Sequence, residues 1–358
     1  MRILVLNAGS SSLKYQLVET GGRDERVVVK GGVERIGAPG SPVHNHTEAV
    51  EEVLAAAGVV DGVGHRVVHG GERFRESVVI DLAVEQAILE CCELAPLHNP
   101  HSLACYRAAH SLLPEVPHVA VFDTAFFHTL PRKAYLYAVP YEYYEQDHVR
   151  RYGFHGTSHR YVTGKAAELL GIAPSEVKLI TCHLGNGCSV CAVDGGRAVD
   201  ISMGLTPLEG LVMGARSGDI DPGVIFHLAR KHGMSMEAID DLLNRKSGLL
   251  GLSGRSNDMR DLVQAAAAGD ERAAMAVEVF CYRVKKYIGA YWAVLGGADA
   301  IVFTGGIGEN RAEVRAQICD GLGGMGAEVL VIPTNEELLI ARDTARLISG
   351  RGSGSRRP

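Results

Sequence analysis

The chain uses one short plan twice: an apolar strand, a small polar turn and a second strand. Residues 2–19 read RILVLNAGSSSLKYQLVE, and residues 177–196 read VKLITCHLGNGCSVCAVDGG. Such a repeat indicates two related domains, each presenting a tight turn between two strands. Backbone N–H groups and hydroxyls that converge in such turns can surround an anion. The first turn taken alone fits an ordinary Ser-rich surface turn equally well.

The 358 residues suffice for about two domains with full cores. Apolar periodicity predicts alternating strands and helices in the first third of the chain, which implies a sheet covered by helices. Strands are predicted at residues 2–6, 15–18, 27–31, 62–68 and 118–122, and helices at 48–57, 84–94 and 102–113.

A third Gly-rich turn, TGGIGEN, begins at Thr304. The sequence predicts it between a strand at 300–303 and a helix at 311–322. The last helix is predicted at 336–348, capped by Thr334 or Asn335. The tail RGSGSRRP has no apolar content, so residues 350–358 are expected to be disordered.

The composition of the chain argues against nucleic acid and membranes as binding partners. The chain is 46% hydrophobic and 22% charged with a net charge of −6, which disfavours nucleic acid and anionic membranes. The apolar run at 3–6 is too short for a signal peptide, and the longest run, at 287–298, is too short to span a bilayer. We therefore expect a cytoplasmic protein that binds neither a membrane nor nucleic acid.

The eight cysteines are scattered without framework spacing. Cys188 and Cys191 form a CxxC pair, but no second pair completes a zinc site. Positions three apart on a strand also point to opposite faces. Reduced thiols in a cytosolic protein are therefore expected, with no metal bound by cysteine.

The two common nucleotide-binding fingerprints are absent or stand in the wrong context. GxxxxGK[ST] does not occur, which excludes a P-loop enzyme. GLGGMG at Gly321 fits GxGxxG but follows a predicted helix and precedes a strand, the reverse of the dinucleotide-binding context. It is interpreted as a helix end and a connecting turn.

Charged side chains collect where predicted strands end. Arg66 follows an apolar strand, Asp123 ends another, His155 lies in RYGFHGTSH, and Arg216 lies in GARSGDIDPG. A surface cation, a satisfied histidine or an acidic N-cap would explain each one separately. Together they indicate chemistry with an anion, because α/β enzymes often keep functional side chains at strand ends.

The chain resembles the acetate kinases, of the acetate and sugar kinase, Hsp70 and actin superfamily. The similar stretches reach from the first residues to about Ala345. They are NAGSSSLKYQL, GHRVVHGGE, LAPLHNP, VFDTAF, RYGFHGTSH, HLGNG, PLEGLVMGARSGDIDP, GIGEN and PTNEELLIARDT.

The resemblance implies an α/β fold of duplicated ribonuclease-H-like (actin-like ATPase) domains with an interdomain cleft. Residues 1–126, completed by a helix at 337–349, would form the N-terminal domain, and 127–336 the nucleotide-binding domain. The implied reaction is reversible, direct phosphoryl transfer from ATP to acetate with Mg²⁺, for which Mn²⁺ could substitute. A homodimer is also implied. A propionate or butyrate kinase and an inactive ATP-binding relative stay open as alternatives.

The resemblance also assigns roles by position. It implies Asp123 as the active-site acid, His155 and Arg216 as transition-state stabilisers, and Asn7 and Glu336 as magnesium-site residues. Arg66 is implied as the carboxylate clamp, with Val68, Leu97, Phe154 and Pro207 around the acetate methyl. The implied nucleotide contacts are Lys14, His183, Leu184, Gly185, Asn186, Gly187, Asp258, Met259, Arg260, Gly306, Ile307, Gly308, Glu309 and Asn310.

The chain departs from the family pattern at several positions. It is shortened after Ile36 and between Gly326 and Val329. The family's HNPPN, TRSGD and SSDFRD appear as HNPHS, ARSGD and SNDMRD, and Phe127 replaces a histidine after VFDTAF. None of these changes removes a residue with an implied charge role.

Overall fold

The computed structural model describes residues 1–21, 25–96 and 98–352, with only the backbone of 351 and 352. The chain divides into two compact units. Unit 1 comprises Met1–His128 with Asn335–Pro358, and unit 2 comprises Thr129–Thr334.

Unit 1 contains a six-stranded sheet in the order β3-β2-β1-β4-β6-β5. The first three strands form an antiparallel meander, β4 and β6 run parallel to β1, and β5 is an antiparallel edge strand. The strands are β1 (Arg2–Ala8), β2 (Ser12–Glu19), β3 (Arg26–Glu34), β4 (Gly62–Val67), β5 (Val78–Val79) and β6 (His118–Phe122).

Unit 2 repeats this order without the edge strand, as β9-β8-β7-β10-β11. β7, β8 and β9 form the antiparallel meander, and β10 and β11 add parallel strands beside β7. The predicted duplication of an α/β domain is therefore confirmed. The strands are β7 (Lys178–Leu184), β8 (Cys188–Asp194), β9 (Arg197–Ile201), β10 (Ala300–Thr304) and β11 (Glu328–Val331).

The helices of unit 1 are α1 (His46–Ala57), α2 (Leu82–Glu90), α3 (Asn99–Leu112) and α14 (Glu336–Gly352). Short 3₁₀ segments occur at Ala125–Thr129 and Gly323–Met325. Unit 2 contains α4 (Arg132–Tyr135), α5 (Glu142–Asp147), α6 (Gly156–Leu170), α7 (Pro222–His232), α8 (Met236–Arg245), α9 (Gly248–Ser253), α10 (Met259–Ala267), α11 (Glu271–Leu295), α12 (Gly305–Asn310) and α13 (Ala312–Cys319). No helix among the described residues is long and apolar enough to cross a membrane.

The alternation of side chains along β1 places it at the centre of unit 1. Leu4 and Leu6 pack into a core cluster with residues of α1 and α3. Ile3 and Val5 pack on the opposite face with Ile340 and other residues of α14. Since successive strand residues point to opposite faces, one apolar strand supports helices on both sides of the sheet.

The prediction of a turn at residues 304–310 is wrong, because GGIGEN forms helix α12. Gly305 has φ +78°, and an added Cβ would lie 2.7 Å from the Leu184 carbonyl oxygen, so only glycine fits there. The Glu309 carboxylate, in the same short helix, accepts the Gly305 N–H at 2.9 Å and so satisfies one of the N–H groups that the first turn leaves without a helical partner.

Near the other end of the chain, the N-cap of α14 is Asn335, one of the two predicted alternatives. Its side-chain oxygen accepts the Leu338 N–H at 3.1 Å. The helix continues to Gly352, beyond its predicted end. The rest of the expected disordered tail, 353–358, lies outside the described residues.

Gly64 lets α14 lie directly on β4, which yields a stability prediction. An added Cβ would lie 2.6 Å from Thr344 Oγ1 and 2.7 Å from Ile340 Cγ2. We expect Gly64→Ala to destabilise unit 1 by about 1–3 kcal/mol through overpacking. Hydrogen exchange of β1 and β4 measures the effect. The control is Gly350→Ala in α14, where an added Cβ meets nothing within 4 Å. Equal exchange in the two variants would contradict the prediction.

Candidate active site

The first Gly-Ser turn places Asn7 and Lys14 together. β1 and β2 pair so that Asn7 lies opposite Lys14, and directly opposed residues of an antiparallel pair project from the same face. The turn is closed by the Gly9 N–H, which donates to the Ser12 carbonyl at 2.8 Å. His46 Nε2 lies 3.0 Å from the Gly9 carbonyl oxygen and fixes the turn to α1. The spacing NAGSSSLK therefore brings an amide oxygen and a cation to one place.

Arg66 and Asp123 meet where two parallel strands end. β4 and β6 are neighbours, with Val67 opposite Phe122, so the residues at their carboxyl ends lie side by side. Arg66 Nε donates to Asp123 Oδ1 at 3.2 Å, and Nη2 donates to Oδ2. The Asp123 side chain is 1% exposed and the Arg66 side chain 21%, so the carboxylate of this two-point ion pair is sealed from solvent while part of the arginine stays accessible.

Two further oxygens face the same guanidinium. Arg66 Nη1 donates to Asn7 Oδ1 at 3.1 Å, and Nε lies 3.8 Å from Glu336 Oε2 in the first turn of α14. Burial alone would lower the pKa of Arg66, but Asp123 and Glu336 raise it above its ordinary value. We call Asn7, Arg66, Asp123 and Glu336 the arginine cluster.

The arginine cluster carries an excess of negative charge. Burial raises the pKa of Glu336 to about 7, and the Asp123 and Glu337 carboxylates act in the same direction. Arg66 and Lys14 act in the opposite direction without compensating. A bound cation would therefore stabilise the ionised form of the Glu336 carboxylate.

Of the substrate-pocket residues implied by the resemblance, Val68 directly follows β4 and is buried, as is Phe154 in unit 2. Pro207 of unit 2 is half-buried. Leu97 lies outside the described residues.

The second turn, residues 183–187, is flanked by His155 and Arg216 in unit 2. A Cβ added at Gly187 would lie 3.3 Å from His155 Nε2 and 3.6 Å from Arg216 Nη1. The turn is closed by the Gly185 N–H, which donates to the Gly187 carbonyl at 3.1 Å. His155 itself has φ +61°, an uncommon conformation for a residue with a side chain, and it directly precedes α6. Two side-chain nitrogens thus converge on a Gly-rich turn.

Arg216 is held without a counter-ion. Its Nη1 donates to the Pro207 carbonyl at 2.9 Å, and no carboxylate in the described part of the chain pairs with it. Burial lowers the pKa of Arg216 below its ordinary value, and the nearby Cys188 acts in the opposite direction without offsetting the lost solvation. Gly248 allows the close turn beneath it, since an added Cβ would lie 2.2 Å from the Met213 carbonyl oxygen.

A cavity of about 610 Å³ in unit 2 brings together three of the stretches predicted to contact nucleotide. They come from the second turn, from residues 257–260 at the start of α10, and from α12. Asn257 and Arg311 also line it and were missed, although each is adjacent to a quoted motif. The lining residues are Gly185, Asn186, Asn257, Asp258, Met259, Arg260, Gly306, Ile307, Asn310 and Arg311.

Other residues of the predicted nucleotide set lie elsewhere. Leu184 and Gly308 are buried, and Glu309 accepts N–H groups from Gly305 and from Thr334, at 2.9 and 3.1 Å. His183 Nδ1 hydrogen-bonds Ser158 at 2.8 Å, and Lys14 belongs to unit 1. Thus only some of the residues predicted to contact nucleotide line the cavity.

These observations define an α/β protein built from a duplicated domain. Arg66 lies in the arginine cluster of unit 1, and Arg216 lies beside the second turn in unit 2. A sequence model of the acetokinase family matches residues 43–329. The acetate kinase of Halothermothrix orenii is 51% identical, and the match covers 97% of this chain and all of that protein.

Solved structures agree with this match. The crystal structure of Porphyromonas gingivalis acetate kinase has a TM-score of 0.92 and 44% identity, covering 97% of this chain and 99% of that one. A propionate kinase from Francisella tularensis has a TM-score of 0.91 and 40% identity, with the same coverage. The chain belongs to the acetokinase family, and its enzymatic function is that of an acetate kinase.

The raised pKa of Glu336 yields a prediction about stability and pH. A carboxyl whose pKa is higher in the folded chain favours folding at low pH, and this contribution is lost as pH rises from about 4.5 to about 7. Without divalent cations, Glu336→Gln should match the unmodified protein near pH 4 and exceed its stability by up to about 3 kcal/mol at pH 8.

Urea unfolding midpoints at both pH values measure this difference. The control is Glu337→Gln, next in the chain, for which we expect a smaller effect. A Glu336→Gln protein that is less stable than the unmodified one at pH 8 would contradict the prediction.

Proposed function

We propose that the protein transfers a phosphoryl group directly from ATP to acetate, reversibly and with Mg²⁺, giving acetyl phosphate and ADP. Membership of the acetokinase family at 51% identity to a full-length acetate kinase is the observation that carries the proposal. The presence of Arg66, Asp123, His155 and Arg216 argues against an inactive ATP-binding relative.

Acetate needs no general base, because its carboxyl group is already ionised near pH 7. The obstacle is repulsion between this anion and the phosphates of ATP. Positive charge and hydrogen-bond donors must therefore surround the transferring group, and such electrostatic positioning is what phosphoryl transfer mainly requires. Arg216 and His155 supply donors at the second turn, and Arg66 binds the acetate carboxylate.

Asp123 acts in this mechanism by orienting Arg66. Both of its oxygens accept from that guanidinium, which supports an orienting role over that of a base. A buried aspartate that holds an arginine in one rotamer reduces the entropy lost when the arginine binds a carboxylate. Asp123 thus occupies the position that the resemblance gives to the active-site acid, and in this proposal its role is to orient Arg66.

The magnesium ion is assigned to Asn7 and Glu336. Amide and carboxylate oxygens are the hard ligands that Mg²⁺ prefers, and the uncompensated charge at Glu336 fits a cation. When bound, the ion would neutralise charge on the phosphates, and Mn²⁺ is expected to substitute for it. No group of three or more His, Cys, Asp or Glu in the described chain could hold a metal by itself, so phosphate and water would complete the coordination.

ATP is assigned mainly to the cavity of unit 2. Its lining residues from the second turn, α10 and α12 supply backbone groups and an apolar wall at Met259. Lys14 serves as a point charge for a phosphate oxygen. The full proposed set is Lys14, His183, Leu184, Gly185, Asn186, Gly187, Asp258, Met259, Arg260, Gly306, Ile307, Gly308, Glu309 and Asn310.

We further propose a cytoplasmic homodimer. All eight cysteines carry free thiols, which supports a reducing compartment.

Helix α7 buries none of its residues, and Phe226 in it is 57% exposed. Met236 of α8 and Tyr282 of α11 are 63% and 62% exposed. The homodimer that the resemblance implies would cover exposed apolar side chains such as these.

Substrate size distinguishes this function from its alternative, a propionate or butyrate kinase. The similarity to the Francisella propionate kinase is the observation that favours this alternative. If the pocket that the resemblance implies, with Val68 as one wall, surrounds the methyl, acetate should be the best substrate and butyrate the poorest. One methylene is worth about 1–3 kcal/mol, so propionate should react more slowly without being excluded. Trapping the acyl phosphate as a hydroxamate measures kcat/KM for the three acids.

Val68→Ala should narrow the gap between acetate and propionate, because it removes volume while leaving Arg66 in place. The matched control is Val67→Ala, whose side chain packs in the core of unit 1 and should affect stability without changing the ranking. A ranking led by butyrate in the unmodified protein would replace the acetate assignment by the alternative.

A further inference from the structure

The first turn is held in place by its carbonyl oxygens. The Gly9 carbonyl oxygen lies 3.0 Å from His46 Nε2, and because a carbonyl oxygen only accepts, His46 donates this hydrogen bond. The Ser11 carbonyl accepts the Ile36 N–H at 3.0 Å, and the Ser12 carbonyl accepts the Gly9 N–H at 2.8 Å. The carbonyl groups of Gly9, Ser11 and Ser12 therefore all point toward groups of unit 1 that bind them.

The Ser10 N–H points away from the His46 ring. A trans peptide group carries its C=O and N–H on opposite sides, and every described peptide bond is trans. The Gly9 carbonyl and the Ser10 N–H belong to one peptide group, so holding the carbonyl fixes the direction of the N–H. Ser10 and Ser11 are exposed, and among the described residues their N–H groups make no hydrogen bond. The first turn thus offers open backbone donors of the kind that bind an anion.

Gly9 is the residue at which this orientation is most easily lost. Because glycine has no Cβ, the peptide group that follows it can rotate through conformations that are closed to other residues. An added Cβ would lie 3.0 Å from Ser12 Oγ, so the tight turn also favours glycine at this position. A half-rotation of the peptide group between Gly9 and Ser10 would present a carbonyl oxygen to an anion in place of the N–H. The hydrogen bond from His46 opposes this rotation.

His46 is itself fixed on two sides. It is the first residue of α1, where Asn45 caps the helix by accepting the Glu48 N–H at 3.0 Å. The ring of His101, in α3, stacks on the His46 ring with centroids 5.7 Å apart and planes inclined by 22°. Both histidines are half-buried, and the two helices pack through a shared core cluster. A ring that is stacked on one face and hydrogen-bonded at Nε2 has little freedom to turn.

We propose that His46 is a positioning residue for phosphate binding. By donating from Nε2 to the Gly9 carbonyl, it keeps the Ser10 N–H directed outward as a donor to a phosphate oxygen of ATP. This role rests on the proposed function, in which Lys14 at the end of the same turn also contacts phosphate, whereas the orientation of the turn does not. His101 supports the role by limiting rotation of the His46 ring. A backbone donor to a charged oxygen makes one of the stronger kinds of hydrogen bond.

The kinetic test compares His46→Leu, which removes the donor, with His46→Gln, whose side-chain amide can still donate to the Gly9 carbonyl. We expect His46→Leu to lower kcat/KM for ATP by about 10- to 100-fold, with KM for acetate within about twofold. His46→Gln should stay within about threefold of the unmodified protein in kcat/KM for ATP. The matched control is His44→Leu, an exposed position two residues earlier, which should leave both constants unchanged. Urea unfolding midpoints are measured for all variants.

NMR of the ligand-free protein tests the orientation of the turn directly. In ¹⁵N-histidine spectra, His46 Nε2 should carry a proton, and its signals are identified by their absence in His46→Gln. The Ser10 N–H should give one sharp signal in the unmodified protein and in His46→Gln, but a doubled or broadened signal in His46→Leu. ATP added without acetate should shift this signal in the first two proteins and much less in His46→Leu.

An unprotonated His46 Nε2 would overturn the proposal, as would a Ser10 signal that ATP does not shift in the unmodified protein. Both measurements need no acetate and no variant at Ser10, so they decide the matter even where His46→Leu does not fold. Equal losses of kcat/KM for ATP in His46→Leu and His46→Gln, at equal unfolding midpoints, would also overturn it, because the donated N–H would then not be the cause. Absence of acetate turnover with the expected signals would count against the proposed function alone.

Discussion

The pairing of Arg66 with Asp123 is the interaction on which the chemistry of unit 1 depends. Parallel strands β4 and β6 bring the two side chains together, and both carboxylate oxygens accept from the guanidinium. A buried ion pair gains little stability over apolar residues, but loss of one partner leaves an unpaired buried charge. We infer that the pair is kept for its geometry, because a guanidinium held in one orientation presents its remaining face to an anion.

The two arginines of the proposed mechanism are held in opposite electrostatic states. Arg66 lies among carboxylates that raise its pKa, whereas burial lowers the pKa of Arg216, whose hydrogen-bond partners among the described residues are a carbonyl oxygen and a thioether sulfur. An arginine already neutralised by Asp123 suits the binding and release of a substrate carboxylate. An uncompensated arginine suits the charge that develops during phosphoryl transfer, where such a group is worth about 10³-fold or more.

Much of the fold could be predicted from the sequence where one local rule decided the outcome. A short apolar run predicted strand β6 to the residue, and the repeated strand–turn–strand plan predicted two related domains, whose sheets share one strand order. GGIGEN was misjudged because its glycines suggested a turn, while the N–H acceptor supplied by Glu309 favours a helix. Burial and charge contacts between distant segments depend on how the strands and helices pack, as when burial and the Asp123 carboxylate raise the pKa of Glu336.

A double-mutant cycle tests most directly whether Asp123 acts through Arg66. The measured quantity is kcat/KM for acetate in Arg66→Gln, Asp123→Asn and the double variant, with circular dichroism to establish folding. If Asp123 serves only to orient Arg66, the double variant should be no worse than Arg66→Gln alone, so that the coupling energy equals the whole effect of Asp123→Asn. Penalties that simply add in free energy would show that Asp123 has an independent role, and would contradict the account.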